Sequence, residues 1–234
     1  MTATNFLAPA VFVDSDAPSV VEFARVTTAG ARDTRDAILR LYAAIRDGII
    51  YDPYLDLSDP TNYRASGALE RGRAFCIGKS ALLAATARVV GVPARVGFAD
   101  VKNHLTSPRL LAMMQTDVFI WHSYTELHLN GRWVKATPAF DRVLCERVGL
   151  VPLAFDGEND SLFHPFDRAG QKHMEYLRDR GPFADVPFAT IVADFKSAYP
   201  TLMSGSARQG EFREDAAAVS NSDAGMQSRP PASR

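Results

Sequence analysis

The sequence predicts an α+β fold in which helices pack on a mostly antiparallel β-sheet. One observation is a run beginning at Cys76 in which small and apolar residues recur at three- and four-residue spacing, as in a buried helix. A second is the Asn130-Gly131 pair, which separates two segments rich in β-branched and aromatic residues, 118–129 and 132–136, and is typical of a hairpin. Separate helical and hairpin patterns in one chain favour a mixed fold.

Two helices are predicted ahead of this core. The first covers residues 18–27 and carries a proline near its first turn. The second begins at Asp33 or Thr34 and runs to about Asp47, because apolar residues recur there at helical spacing. A turn-rich segment, residues 51–63, follows and is expected to border a cleft.

The central helix is predicted from Cys76 to just before Gly91. Glycine suits a left-handed helix cap, and Pro93 prevents the helix from resuming. The small alanines of this helix permit close approach to a sheet, and residues 94–99 are predicted to form the strand that follows. A buried structural helix would account for this pattern without catalysis, and Cys76 would then be an inert core thiol.

The position of Cys76 at a helix start points to chemistry. Unpaired backbone N–H groups and the helix dipole favour thiolate over thiol there, so we expect a lowered pKa and a nucleophilic sulfur. Further along the chain, His122 lies within a predicted strand and is the candidate base. Cys145 has no such context and is expected to be a structural thiol.

A two-residue turn at Asn130-Gly131 fixes the register of the predicted hairpin. In that register, the diagonal neighbours of His122 on the same face are Thr137 and Asp141. Asp141 could accept a hydrogen bond from the imidazole and orient it, as the third member of a triad does. Pro138 weakens the register, so a solvated loop aspartate is the alternative interpretation of Asp141.

Four segments of the sequence, in their order along the chain, resemble the transglutaminase-like superfamily, which is related to papain-type cysteine enzymes. The segments are Gly72–Cys76, Gly91–Arg95, His122–Leu127 and Gly131–Pro138. The resemblance covers about residues 35–141 and implies a papain/transglutaminase-like core with the nucleophile at a helix N-terminus. Cys76 matches the nucleophile of the family and His122 matches its base. The slot before the proline holds Thr137 instead of aspartate, so the third member is either Asp141 or a weakly orienting Thr137.

The resemblance implies acyl transfer from an amide or ester through a thioester, in a catalytic triad or dyad that needs no cofactor. The acyl acceptor is left open: water would make the protein a hydrolase of the protease or amidase kind, and an amine would make it a transglutaminase-like acyltransferase. The expected substrate is a peptide or a small-molecule amide, and the Cys76 backbone N–H is expected to be one oxyanion donor. The alternative, motivated by Thr137, is a catalytically silent member that binds a peptide or protein partner.

The remaining histidines are weaker candidates. His104 follows a predicted strand and competes with His122 as the base. His128 is expected at the surface near the turn, and His164 could line the cleft. No Cys-x-x-Cys or His-Glu-x-x-His pattern occurs, so no metal site is expected.

Composition limits the expected partners and location. The 26 basic and 27 acidic side chains leave a formal net charge of −1, which provides no bulk attraction to nucleic acid or to an anionic membrane. The sequence has no apolar stretch long enough for a membrane span and no signal-like start, so we expect a cytoplasmic protein with reduced thiols. The oligomeric state is left open.

One domain is expected over residues 1–203. It consists of the core at about 35–141 and an aromatic-rich C-terminal wrap, residues 142–203, which is expected to supply a wall of the cleft. Residues 204–234 are rich in Ser, Ala, Gly, Arg and Asp, and such a composition predicts a disordered tail.

Overall fold

One long buried helix, Cys76–Val89, lies at the centre of the fold between a β-sheet and a layer of other helices. The structure, a computed structural model, describes residues 3–104, 106–162, 170, 173–204 and 212–216. Every residue of the central helix from Cys76 to Arg88 is buried, which explains why small and apolar residues predominate around the whole helix rather than along one stripe. The predicted α+β class is confirmed.

The elements in chain order are as follows. The helices are α1 (Pro18–Thr27), α2 (Thr34–Gly48), α3 (Ala65–Arg71), α4 (Cys76–Val89), α5 (Pro108–Met114), α6 (Arg142–Arg147), α7 (Phe188–Ala198) and α8 (Pro200–Met203). Shorter helical turns cover Ala3–Phe6, Pro60–Tyr63 and residues 212–216. The strands are β1 (Ile50–Tyr51), β2 (Arg73–Ala74), β3 (Ala94–Asn103), β4 (Val118–Leu129), β5 (Arg132–Ala136) and β6 (Met174–Phe183). None of the helices in these described ranges is both long enough and apolar enough to span a lipid bilayer.

The main sheet has four antiparallel strands in the order β5-β4-β3-β6. The second, much smaller sheet is the parallel pair β1 and β2, in which Tyr51 lies opposite Ala74. Because Ala74 precedes Cys76 by two residues, this short pairing holds Tyr51 beside the start of α4. The small sheet therefore positions Tyr51 next to Cys76.

The predicted hairpin forms with the predicted register, but its strands stop pairing before they reach His122. Asn130 and Gly131 have φ values of 50° and 80°, as a type I′ turn requires, and the pairing runs from Leu129 opposite Arg132 to Thr125 opposite Ala136. The chain then leaves the sheet because Pro138 has no N–H to donate and the N–H of the preceding residue bonds to Ser161 instead. The expected cross-strand neighbours of His122 are consequently not delivered by this hairpin.

Polar contacts fix α4 at both of its faces. The Thr125 hydroxyl on β4 donates to the Ser80 carbonyl on α4 at 2.9 Å. On the other face, the fully buried Lys79 ammonium donates to the carbonyls of Arg46 and Ile49 at 2.9 and 2.6 Å, at the C-terminal end of α2. These bonds satisfy helix-end carbonyls that have no partner within α2.

The C-terminal segment differs in part from the prediction. Residues 212–216, which fall within the tail that was expected to be disordered, form a helical turn. Phe212 packs edge-on against Tyr51 and Tyr54, and Arg213 pairs with Asp141 at 2.8 Å. Asp215 of the same turn pairs with Arg109 at 3.1 Å, so one aromatic residue and two ion pairs anchor this turn despite its polar surroundings in sequence. The rest of the predicted tail, except Ser204, lies outside the described residues.

The close approach of β3 and β4 yields a stability prediction. Gly97 lies opposite Tyr124, and a Cβ added to Gly97 would stand 2.1 Å from a ring carbon of that tyrosine. We expect Gly97→Ala to lower the free energy of unfolding in urea by about 1–3 kcal/mol, the usual cost of overpacking.

Gly48→Ala is the matched control, because a Cβ at Gly48 meets no atom within 4 Å. That change should be neutral or slightly stabilising, since alanine is the better helix former. Equal unfolding free energies for the two variants would contradict this account of the β3–β4 contact.

Candidate active site

Cys76 is the first residue of α4, and the Phe75 side chain before it provides no capping hydrogen bond. The backbone N–H groups of Ser123, Ile77 and Cys76 itself lie close enough to the sulfur to lower the pKa of the thiol. Two of these groups belong to the helix start, as expected, and the third belongs to β4. Ser123 follows His122 directly, so the thiol lies beside the strand segment that carries the candidate base.

Burial affects the pKa of the Cys76 thiol more strongly than the helix N-terminus does. Desolvation is the largest influence on Cys76 and raises the pKa of its thiol from 9.0 to about 11. Desolvation likewise lowers the pKa of the His122 imidazole from 6.5 to about 4. The expectation of a lowered thiol pKa is therefore wrong for the free protein. Near neutral pH both side chains are uncharged.

His122 lies opposite Ala99 in the pairing of β4 with β3, directly after an irregularity in that pairing. The irregularity is centred on Trp121, whose φ of 58° is left-handed. A non-glycine residue in this region bears a strain of roughly 1–2 kcal/mol, which the surroundings must offset. The left-handed residue changes the strand alternation immediately before the candidate base, and a conformation of this kind cannot be inferred from the sequence pattern.

A network of charged side chains holds Trp121 in this conformation. Its backbone N–H donates to Asp100 at 3.0 Å and its indole N–H to Asp194 at 2.7 Å. Arg180 pairs with both carboxylates, at 2.5 and 3.1 Å, and its guanidinium lies 4.3 Å from the centre of the indole ring. The network joins β3, β6 and α7 around the residue that precedes His122.

Cys76 and His122 line the same cavity, whose volume is about 50 Å³. Tyr51, Phe75 and Trp121 form the wall around the pair. The other lining residues come from the loop after β1, α5, the start of β4, and the C-terminal helices α7 and α8 with the residue between them. No hydrogen bond of the described residues joins the sulfur to the imidazole. The geometry therefore brings the two sequence candidates together, while their catalytic roles remain predictions.

Tyr51 is a third polar side chain of this cavity, and it was not identified from the sequence. Burial raises the pKa of its phenol well above 10, and nearby Cys76 adds to the effect, which indicates that the phenol lies close to the sulfur. The side chain is 5% exposed and lines the cavity. A hydroxyl donor beside a nucleophile is a candidate oxyanion donor.

His122 and Thr137 both line a second, smaller cavity of about 10 Å³. The Thr137 side chain is buried, and its hydroxyl oxygen has no hydrogen-bond partner in the described residues. Thr137 occupies the slot in which the family carries its aspartate. The structure thus brings Thr137 to the same cavity as the imidazole.

Asp141 lies elsewhere. As the N-cap of α6 it accepts the Leu144 N–H at 2.9 Å, and it also accepts the Tyr51 N–H at 3.2 Å. It pairs with Arg213 at 2.8 Å and is 1% exposed. None of its hydrogen bonds in the described structure goes to His122. The carboxylate therefore fixes Tyr51 and α6, which corrects the predicted triad; the early departure of the chain from the sheet is the reason.

The other sequence candidates are not in the large cavity. His104 pairs with Glu175 at 3.3 Å, and His128 packs against Trp133 near the hairpin turn. Cys145 is completely buried in α6, where burial raises the pKa of its thiol to about 12. His164 lies outside the described residues. Within the described ranges, no cluster of His, Cys, Asp and Glu is arranged to hold a metal ion.

Comparison with known protein families matches residues 21–138 to the Transglutaminase-like superfamily. Among solved structures, the chain is similar to a Cytophaga hutchinsonii protein named "Putative Cysteine Protease", with a TM-score of 0.51 and 15% sequence identity. The match covers 80% of this chain and 48% of that protein, so the chain spans about half of its length. This likeness supports the fold alone. No curated protein matches the chain.

The uncharged thiol yields a pH prediction for Cys76. Because its pKa is raised to about 11, the thiolate fraction should rise about tenfold for each pH unit between pH 7 and 9. The rate of iodoacetamide labelling, followed by intact mass in a Cys145→Ser background, should rise with the same slope.

A thiolate–imidazolium pair would behave differently, because it would keep the labelling rate constant from about pH 6 to 8. Such a plateau would contradict the uncharged state. In the unchanged protein, Cys145 should be labelled more slowly than Cys76, since it is completely buried.

Proposed function

Because the chain belongs to the Transglutaminase-like superfamily, we propose that it is a cysteine-dependent acyl-transfer enzyme that acts on an amide or ester through a thioester at Cys76. The observation that carries the proposal is the shared cavity of Cys76 and His122. A nucleophile needs a base nearby and a space for the acyl group, and a cavity lined by both side chains supports this assignment.

In the first step, the Cys76 sulfur attacks the carbonyl carbon while its proton moves to His122. The new S–C bond forms as the electron pair of the carbonyl moves to oxygen, so an imidazolium and an oxyanion appear together and the site stays neutral overall. This compensation suits a buried pair that is uncharged at rest. The Cys76 backbone N–H and the Tyr51 hydroxyl are the proposed donors to the oxyanion.

In the second step, the imidazolium of His122 returns its proton to the departing nitrogen or oxygen. The bond from the carbonyl carbon to that atom breaks, and the acyl group stays on Cys76 as a thioester. Water or an amine then attacks the thioester with His122 as the base again. Hydrolysis and amide formation share every step up to this point, and the acyl acceptor alone separates them.

Thr137 is the proposed positioning residue for His122. Its buried and unpaired hydroxyl can accept a hydrogen bond from the imidazole N–H, in the place where the family carries a carboxylate. A hydroxyl orients the ring but stabilises an imidazolium less than a carboxylate does, because it carries no negative charge. The proposed unit is therefore a Cys–His dyad with a neutral orienting group.

The experiment is to trap the acyl-enzyme with p-nitrophenyl esters and to read both the p-nitrophenol burst and the intact mass. The unchanged protein should gain one acyl group per chain, on Cys76. Cys76→Ala should gain none, and His122→Ala should acylate about 10²- to 10⁴-fold more slowly, as expected for loss of a general base.

Cys145→Ser is the matched control, because it removes the other thiol of the chain and should leave acylation unchanged. Acylation of Cys145 in preference to Cys76, or an unchanged rate in His122→Ala, would contradict the proposal.

Tyr51→Phe tests the second oxyanion donor. The change removes only the hydroxyl and leaves the packed ring in place, so the unfolding temperature should stay nearly unchanged. The acylation rate should fall by about 10²-fold, as for the loss of one donor from an oxyanion hole.

The matched control is Tyr54→Phe, on the same segment. The Tyr54 hydroxyl donates to Asp215 at 2.8 Å and the residue does not line the large cavity, so stability should change and the acylation rate should not. Equal loss of acylation rate in the two variants would contradict the role of Tyr51.

A catalytically silent binding module is the second candidate function. Two observations favour it: burial raises the pKa of the Cys76 thiol, and no described carboxylate is hydrogen-bonded to His122. This candidate predicts that no ester acylates Cys76 at a rate above that of a free thiol. The acyl-trapping experiment therefore separates the two functions.

A further inference from the structure

We infer that this site takes acyl donors whose acyl group is apolar, an aliphatic chain or an aromatic ring, and rejects acyl groups that carry a carboxylate, an amide or a cation. The inference rests on the proposed function and specifies its substrate class. It depends on the chemistry of the cavity wall, on the hydrogen bonds that its polar atoms already make, and on which part of a substrate stays in the cavity.

The wall is apolar on every side. Apart from Cys76 and His122, each of the described residues that line the cavity is aliphatic, aromatic or methionine. Leu110 and Met114 come from α5, Phe195 from α7 and Leu202 from α8, and all four are 5% exposed or less. No Asp, Glu, Lys, Arg, Asn or Gln of the described chain lines this cavity. Burial of apolar surface is therefore the main source of affinity that the cavity can offer.

The polar atoms of the aromatic wall are already engaged. The Trp121 indole N–H donates to Asp194. The Tyr199 hydroxyl accepts the Ile120 N–H at 2.7 Å and donates to the Val118 carbonyl at 2.8 Å. The Tyr51 hydroxyl remains, and the proposed function assigns it to the reacting carbonyl oxygen. A polar group on the acyl chain would thus be buried without a partner, at a cost of about 1–3 kcal/mol when neutral and more when ionised.

The acyl group, and not the leaving group, is the part of a substrate that suits this apolar cavity. The acyl group stays bonded to the Cys76 sulfur through both half-reactions, whereas the leaving group must depart to solvent after the first. Cys76 itself is 9% exposed and most of the wall is less exposed than that. The cavity volume is about 50 Å³, several times the roughly 10–15 Å³ that one water molecule needs. A short aliphatic chain, or a ring that extends toward the mouth of the cavity, is a suitable occupant.

The test is the rate of Cys76 acylation by a series of p-nitrophenyl esters: acetate, butyrate, hexanoate, hydrocinnamate, and the glutarate and glutaramate monoesters. Each rate is read by intact mass and divided by the rate of the same ester with 2-mercaptoethanol, which removes differences in intrinsic reactivity. Each added methylene should raise the acylation rate about fourfold until the cavity is filled. This factor corresponds to the stabilisation of about 0.8 kcal/mol that one buried methylene provides. The glutaramate ester should react about 5- to 150-fold more slowly than hexanoate, and the glutarate ester more slowly still.

Met114→Gln provides the variant, because it places an amide in the wall at similar volume. It should lower the ratio of the hexanoate rate to the acetate rate by about fivefold or more, the cost of a mismatched polar contact. Met113→Gln is the matched control on the same helix, since Met113 is equally buried but does not line the cavity, and it should leave that ratio unchanged.

The outcomes separate this inference from the function on which it rests. Equal normalised rates for acetate, hexanoate and glutarate would overturn the apolar preference while leaving acyl transfer intact. Faster reaction of the glutarate or glutaramate ester would overturn it as well. No acylation by any ester would remove the proposed function, and the inference with it. The donor series with the unchanged protein decides the matter even if a methionine variant fails to fold.

Discussion

The structure depends on the contact between the first turn of α4 and the part of β4 that extends beyond the end of β5. The hairpin pairing stops at Thr125, and the Ser123 N–H approaches the Cys76 sulfur just past that point. The Thr125 hydroxyl bonds to the Ser80 carbonyl one turn further along the helix. Helix and strand are thereby held in one register, and that register sets the thiol beside the segment that carries the imidazole of His122.

The same contact removes both groups from water, and this determines their electrostatics. A helix start alone would favour the thiolate, yet burial raises the pKa of Cys76 and lowers that of His122. The resting pair is therefore uncharged, and charge appears only as the proton moves and the oxyanion forms. The groups that meet this charge must be present beforehand, which is why the Tyr51 hydroxyl in the cavity wall and the unpaired Thr137 hydroxyl are informative.

Local sequence patterns made part of the fold and of the candidate site predictable. Helical spacing and a glycine-proline ending gave the extent of α4, and the Asn-Gly turn gave the hairpin register as far as Ala136. Cys76 and His122 could be selected as candidates because the sequence patterns around them are local. Asp141 was misplaced because a strand register cannot show that the chain leaves the sheet after Ala136. Tyr51 was missed because it reaches the site through β1, whose pairing with β2 is only two residues long.

The most direct measurement is a crystal structure of the protein after reaction with the chloromethyl ketone of hydrocinnamic acid, which carries a phenyl ring and no charged or amide group. We predict a covalent bond to the Cys76 sulfur, the phenyl ring inside the cavity near Leu110 and Phe195, and the His122 imidazole at hydrogen-bonding distance from the adduct. The ketone oxygen should accept from the Tyr51 hydroxyl. An adduct whose ring lies in solvent, or whose sulfur lies beyond the reach of His122, would contradict the account.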